Sequence, residues 1–169
     1  MPEPASPQKV TIRDAEGVVT EEVMMKDGLL DGEALLYAAG RLRGRLQFRR
    51  GEKNGEAVYY DDAGRVMTKA QYLDGKLHGD SLHFNQGGTL MRKAAYQKDL
   101  LHGYTIDYYP SGKPREVSTY KENVLDGEVI RLAEDGKITE RLYYHRGVLR
   151  KSPPPRPKAA VPKSKLARV

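Results

Sequence analysis

The sequence predicts an all-β protein: an elongated, single-layer antiparallel meander of about six β-hairpin repeats with disordered termini. Three observations carry that prediction. Glycines recur at 32, 55, 79, 103 and 127, and a second glycine series runs 17, 40, 64, 88, 112 and 136. A series of large side chains keeps the same spacing: Met25, Phe48, Tyr72, Tyr96, Tyr120 and Tyr144. The step is 24 residues, except for one of 23, which we assign to a residue missing from the second unit between Glu33 and Leu36. Finally, apolar residues inside each unit alternate with polar ones, the period of a half-buried strand.

Residues 1–9 are rich in proline and are expected to be disordered. Domain structure begins near residue 10, and 10–149 is read as one repeat domain. Residues 10–13 and 18–26 form a degenerate first hairpin around Asp14-Ala-Glu-Gly17. Hairpins then run from 33 to 145. In each, a shorter run (Val58 and Tyr60, Leu82 and Phe84, Ile106 and Tyr108) precedes a longer one (Val66, Ala70 and Tyr72; Leu90, Ala94 and Tyr96). The runs are joined by turn-rich loops such as Asp61-Asp-Ala-Gly64 and Pro110-Ser-Gly112. Glycine late in such a loop suits a left-handed backbone position. The second connection, Asp74-Gly75-Lys-Leu-His-Gly79, leads into the next unit, and Asp99 and Asn123 replace its first glycine later in the chain. Those residue types tolerate a positive φ best. Two strands per unit give about twelve strands, and at about 4.8 Å each the sheet would be roughly 55 Å across.

The segment Tyr72-Leu-Asp-Gly-Lys-Leu-His-Gly79, repeated with variation at Tyr96 to Gly103 and Tyr120 to Gly127, resembles the MORN repeat in its bacterial variant form. The resemblance covers roughly 10–150. It implies a repeat scaffold rather than an enzyme, and proteins of this kind are often described as antitoxin- or immunity-like. Two departures stand out. Leu36 and Leu132 replace the aromatic before the turn, and Lys151 stands where the next glycine is due.

Charge divides the chain. The net charge is +6, yet from Arg146 onward there are eight Lys or Arg and no acid, which leaves −2 on residues 1–145. The tail, 150–169, is therefore basic, and its prolines oppose strand ladders. Arg150, Lys151, Arg156, Lys158, Lys163, Lys165 and Arg168 form a candidate polyanion-binding segment, for nucleic acid or anionic lipid, through counterion release. In the body, Arg41, Arg43, Arg45 and Arg49 share one parity and are expected to line one solvated strand face.

Catalytic and metal chemistry find no foothold. There is no cysteine, hence no thiolate nucleophile and no cysteine metal site; this favours a cytoplasmic setting. The N-terminus lacks the basic start and apolar run of a secretory signal. His78 and His102 occupy equivalent positions where other units carry Asp31, Asn54 and Asp126, which reads as a turn position. Two strands apart, their backbones would lie about 10 Å from one another, too far to share an ion at about 2 Å from each ligand. No catalytic residue, metal or cofactor is expected.

Two aromatic columns remain: Tyr60, Phe84 and Tyr108, and Tyr72, Tyr96, Tyr120 and Tyr144. They are expected to stack on one face, forming the core of a one-layer sheet and a partner-binding surface. Tyr59, Met67, Met91 and Tyr143, on the opposite parity, form a weaker candidate. The expected function is a non-enzymatic scaffold that binds a protein partner, by resemblance a toxin or effector neutralised by occlusion. The alternatives are a peripheral membrane or lipid-associated module and polyanion binding through the tail.

Overall fold

The computed structural model describes residues 6–151. It contains thirteen strands: β1 (Gln8–Arg13), β2 (Val19–Lys26), β3 (Leu29–Ala38), β4 (Arg41–Arg49), β5 (Glu52–Tyr60), β6 (Val66–Leu73), β7 (Lys76–Phe84), β8 (Leu90–Gln97), β9 (Leu100–Tyr108), β10 (Pro114–Lys121), β11 (Val124–Leu132), β12 (Ile138–His145) and β13 (Val148–Arg150). They form one antiparallel sheet in which each strand pairs only with its neighbours in sequence. The all-β meander is as the periodicity requires. The count exceeds the expected twelve because Val148–Arg150 adds a short strand, and β1 starts at Gln8, ahead of the expected boundary.

The connections on one side are tighter than the sequence suggests. Asp74 and Gly75 both have positive φ, 48° and 77°, and alone make the turn. This is the two-residue hairpin turn whose twist matches that of paired strands. Asp99 and Asn123, each at φ 68°, fill the second turn position as expected. Their side chains add a reason for not being glycine. Asp99 accepts a hydrogen bond from the Leu77 amide at 2.8 Å, and Asn123 accepts one from the Leu101 amide at 2.7 Å. The amides of Asp99 and Asn123 in turn donate to the Leu77 and Leu101 carbonyls, so consecutive turns are tied together.

His78 and His102 therefore lie within strands β7 and β9, not in turns. They precede Gly79 and Gly103, at φ 108° and 109°, where the pairing register shifts. Such a bulge bends the strand and increases its twist. A Cβ on Gly79 would sit 3.2 Å from Cβ of Gln71, and one on Gly127 2.9 Å from Cβ of Thr119. The first glycine series is thus fixed twice, by backbone conformation and by the preceding strand.

A second bulge occurs near the other end of the strands, and it corrects the assignment of faces. Tyr59 pairs with Thr68, but Tyr60 pairs with Val66. Val66 is thereby carried to the face of Tyr60, opposite Ala70 and Tyr72. The same shift between Leu36 and Tyr37 means that Leu42, not Arg43, pairs with Tyr37, so the four arginines of β4 do not share one face. It also relocates the missing residue. Ala39-Gly40 is a two-residue turn where other repeats have a longer loop, and Tyr37, rather than Leu36, is the counterpart of Tyr60.

A straight row of mostly small residues crosses the sheet from β1 to β12: Val10, Val23, Ala34, Leu46, Ala57, Ala70, Ser81, Ala94, Thr105, Ser118, Val129 and Leu142. From Val23 to Val129 every member is buried. A one-layer sheet buries this row because larger residues, two positions away on either side, flank it. We call this face the front.

Candidate functional site on the front face

The large residues of the third series sit on the front, two positions from the small row. Each faces a glycine on the preceding strand: Tyr72 opposite Gly55, Tyr96 opposite Gly79, Tyr120 opposite Gly103 and Tyr144 opposite Gly127. A glycine leaves apolar surface open, and an aromatic partner across the strands covers it. All four tyrosines are half-buried. Burial raises the pKa of Tyr72, followed by the charge of Tyr59 on the same face. The Lys53 ammonium lies 5.0 Å from the centre of the Tyr72 ring, within cation–π range.

The other aromatic column is on the back, a correction to the expected single-faced stack. Tyr60, Phe84 and Tyr108 follow the second bulge and are joined there by Tyr37, whose hydroxyl donates to Glu22 at 3.1 Å. Tyr108 is only 1% exposed, and its hydroxyl has no partner. Burial, followed by the charge of Asp80, pushes its pKa up. A residue so enclosed is core, not contact surface. The rest of the back alternates aliphatic and basic side chains, for example Val58, Lys69, Leu82, Lys93 and Ile106. Acids offset the basic ones: Lys93 reaches Asp80 at 2.8 Å, and Arg141 reaches Glu128 at 3.2 Å. Arg45 lies between Glu33 and Glu56, and Arg43 pairs with Asp62. Two of the four β4 arginines thus face acids, and Arg41 donates to the Asp62 carbonyl.

The front has a third row, on the other side of the small one, which sequence parity alone does not isolate. It runs Glu21, Leu36, Gly44, Tyr59, Thr68, His83, Arg92, Asp107, Glu116, Arg131 and Glu140. Its second half is a chain of ions. Arg92 meets Asp107 at 3.3 Å, and Arg131 meets both Glu116, at 2.9 Å, and Glu140. The Ser118 hydroxyl donates to Glu116 at 3.0 Å. Asp107 and Glu116 are directly paired carboxylates, each held by an arginine on its far side. Arg131, then Ser118, hold the Glu116 carboxyl below the usual range. His83 bonds Thr68 at 3.2 Å and Ser81 at 3.4 Å. Beside the row is a shallow depression of about 300 Å³, lined by Tyr109, Arg115, Glu116, Arg131, Leu132 and Thr139. The row is recoverable from the sequence in hindsight, since each member is two residues from the small row.

Arg150 and Lys151 are exposed at the end of β13, while Arg156, Lys158, Lys163, Lys165 and Arg168 lie outside the described residues. Among the described residues, no group of three or more His, Asp or Glu could hold a metal ion. No helix among them is long and apolar enough to cross a membrane.

These features define an open β-meander repeat protein with a tyrosine column and a charged row on one face. The MORN repeat variant model matches residues 101–122, and a similar strand–turn unit recurs along the sheet. No curated protein matches the chain. Among solved structures, it is similar to one titled "Crystal structure of GtfA/B complex bound to UDP and GlcNAc", at 14% identity and a TM-score of 0.30. That match covers 68% of this chain and 22% of the other. The chain thus matches less than a quarter of that protein, and a likeness at this level carries no argument about function.

Proposed function

We propose that this chain is a non-catalytic scaffold that binds a protein partner across the front of its sheet. The carrying observation is the parallel course of two rows on one open face, Tyr72 to Tyr144 and Arg92 to Glu140, with a small buried row between them. Tyrosines offer large contact area with a polar tip, and a row of paired ions sets register against a charged partner. The partner class is a toxin or effector in the cytoplasm, neutralised when the sheet covers its active or docking surface. Support for that class is the resemblance to immunity-like MORN proteins.

The test compares Tyr96→Phe and Tyr120→Phe with the parent chain, using a toxin encoded beside this gene as the partner. Normal folding with weaker binding is expected, because a hydroxyl that loses its partner at an interface forfeits a hydrogen bond. Unchanged affinity in the double variant would remove the tyrosine column from the interface. A second reading, polyanion or anionic-lipid binding through the tail, is favoured by the separation of charge along the chain. Truncation after Lys151 should abolish any salt-sensitive binding to heparin or to anionic vesicles.

A further inference from the structure

The two ends of the sheet are fragments of one strand. β13 pairs with β12 through His145 and Val148, Tyr144 and Leu149. This repeats the way β11 begins on β10, with Lys121 opposite Val124 and Tyr120 opposite Leu125. It stops after three residues. At the other end, the six residues of β1 pair with β2 in the register in which the last six of β11 pair with β12. Gln8 takes the place of Gly127, Val10 that of Val129 and Arg13 that of Leu132, and the bulge falls at the same point. β13 supplies the first third of a nine-residue strand like β11, and β1 supplies the remaining two thirds.

We propose that copies of this chain join head to tail, with β13 of one copy and β1 of the next completing a single strand of a continuous sheet. The vacant place is defined. Among the described residues, Ile138 to Leu142 of β12 have no partner on the β13 side. By sequence spacing alone, one further repeat would call for residues 153–155 at that place; these are three prolines, and proline has no amide to give to a ladder. The incoming β1 fits instead: Val10 opposite Leu142 extends the small row, and Ile12 falls opposite Glu140 of the third row.

The exposed apolar residues agree. Val10, Ile12 and Val18 at one end, with Ile138, Val148 and Leu149 at the other, are all at least 40% exposed, as are Leu29, Leu73 and Val124 within the array; the ends hold six of these nine. Terminal repeats of an isolated array carry polar caps instead. The junction also accounts for the break in the glycine series. Lys151 stands where the glycine is due by sequence spacing, but in the joined strand Gln8 of the next copy takes that place, and because the strand there is made from two separate chains it does not need the strained backbone of Gly127. The contact is heterologous, so it propagates rather than closing on itself as a pair.

The test uses the full chain. Sedimentation should show a mass that rises with concentration beyond a dimer. A strict monomer at every soluble concentration, or a dimer that does not grow, would overturn the proposal. Because the chain has no cysteine, its register can be read covalently. Oxidation of a Val10→Cys/Leu142→Cys double variant should give a ladder of multimers, all linking position 10 of one copy to position 142 of the next. Disulfide dimers from Val10→Cys alone would show two β1 edges meeting and sink the head-to-tail arrangement. A Thr11→Cys/Leu142→Cys control places the thiols on opposite faces and should form no ladder. A Val10→Lys/Ile12→Lys variant changes only exposed side chains. It should fold as the parent does, stay monomeric alone and shorten parent assemblies when mixed in; growth at the parental rate would count against the proposal.

Discussion

From β2 to β6 the buried row of the front reads Val23, Ala34, Leu46, Ala57 and Ala70, flanked by Glu21, Leu36, Gly44, Tyr59 and Thr68. From β7 to β10 it reads Ser81, Ala94, Thr105 and Ser118, flanked by His83, Arg92, Asp107 and Glu116. Turns, bulges and glycines are shared by the two halves, yet the buried row of one is wholly apolar while the other carries buried hydroxyls beside a hydrogen-bonded ionic strip. The backbone devices hold the architecture, and the row positions accept buried side chains from Ala and Ser to Leu. Front-face chemistry can therefore vary along the array without a change of fold.

The comparison can be broken in several ways. The largest effect should come from Leu46→Ala. Leu46 is 3% exposed, and its truncation should cost about 2–4 kcal/mol in urea unfolding, equally at low and high salt. A marked salt dependence there would mean that the halves do not differ in kind. Next, Gly55→Ala and Gly103→Ala strain the same bulge, one in each half, at φ 113° and 109°. Each should lose about 1–3 kcal/mol; if only one did, the claim of a shared scaffold would fail.

Thr105→Val should act in the opposite direction. The Thr105 hydroxyl is buried without a partner, so replacing it by a methyl should gain up to about 1 kcal/mol. A loss would mean that the hydroxyl is satisfied in solution. The smallest change is expected for Arg131→Met, whose ion pairs are exposed and screened by salt. Its defect should shrink as salt rises. pH gives a second check. The Glu116 carboxyl is held below its ordinary 4.5, so its contribution is present above that value and fades as pH falls through the lowered one. Parent and variant melting temperatures should therefore converge in acid, and a gap that persists there would point to lost packing instead.

The repeat period, the strands and the positive φ of Asp99 and Asn123 are legible in the sequence because local chemistry dictates them. The faces are not. Alternation by two holds only where pairing is regular, and each repeat carries two bulges. Parity groups Val66 with Tyr72, although pairing with Tyr60 sets it on the other face. Counting back from the turn glycine likewise makes Leu36 the counterpart of Tyr60, when the residue lost by that repeat is missing from the loop at Ala39-Gly40. Only one glycine of each bulge pair is visible in the chain; the bulge near Tyr60 has no marker residue. The ionic row was hidden for another reason: its members keep parity with the small row but become neighbours only once the strands are placed in register.

Strict pairing of each strand with its chain neighbours also governs how the sheet assembles. No contact requires closing a long loop, so the entropic barrier that slows most all-β folds is small here. Each hairpin can form as soon as its second strand leaves the ribosome, using the preceding hairpin as a template and without waiting for the C-terminus. Folding then advances as a front along the chain, and a synthesis halted midway leaves a shorter sheet ending in a bare strand edge.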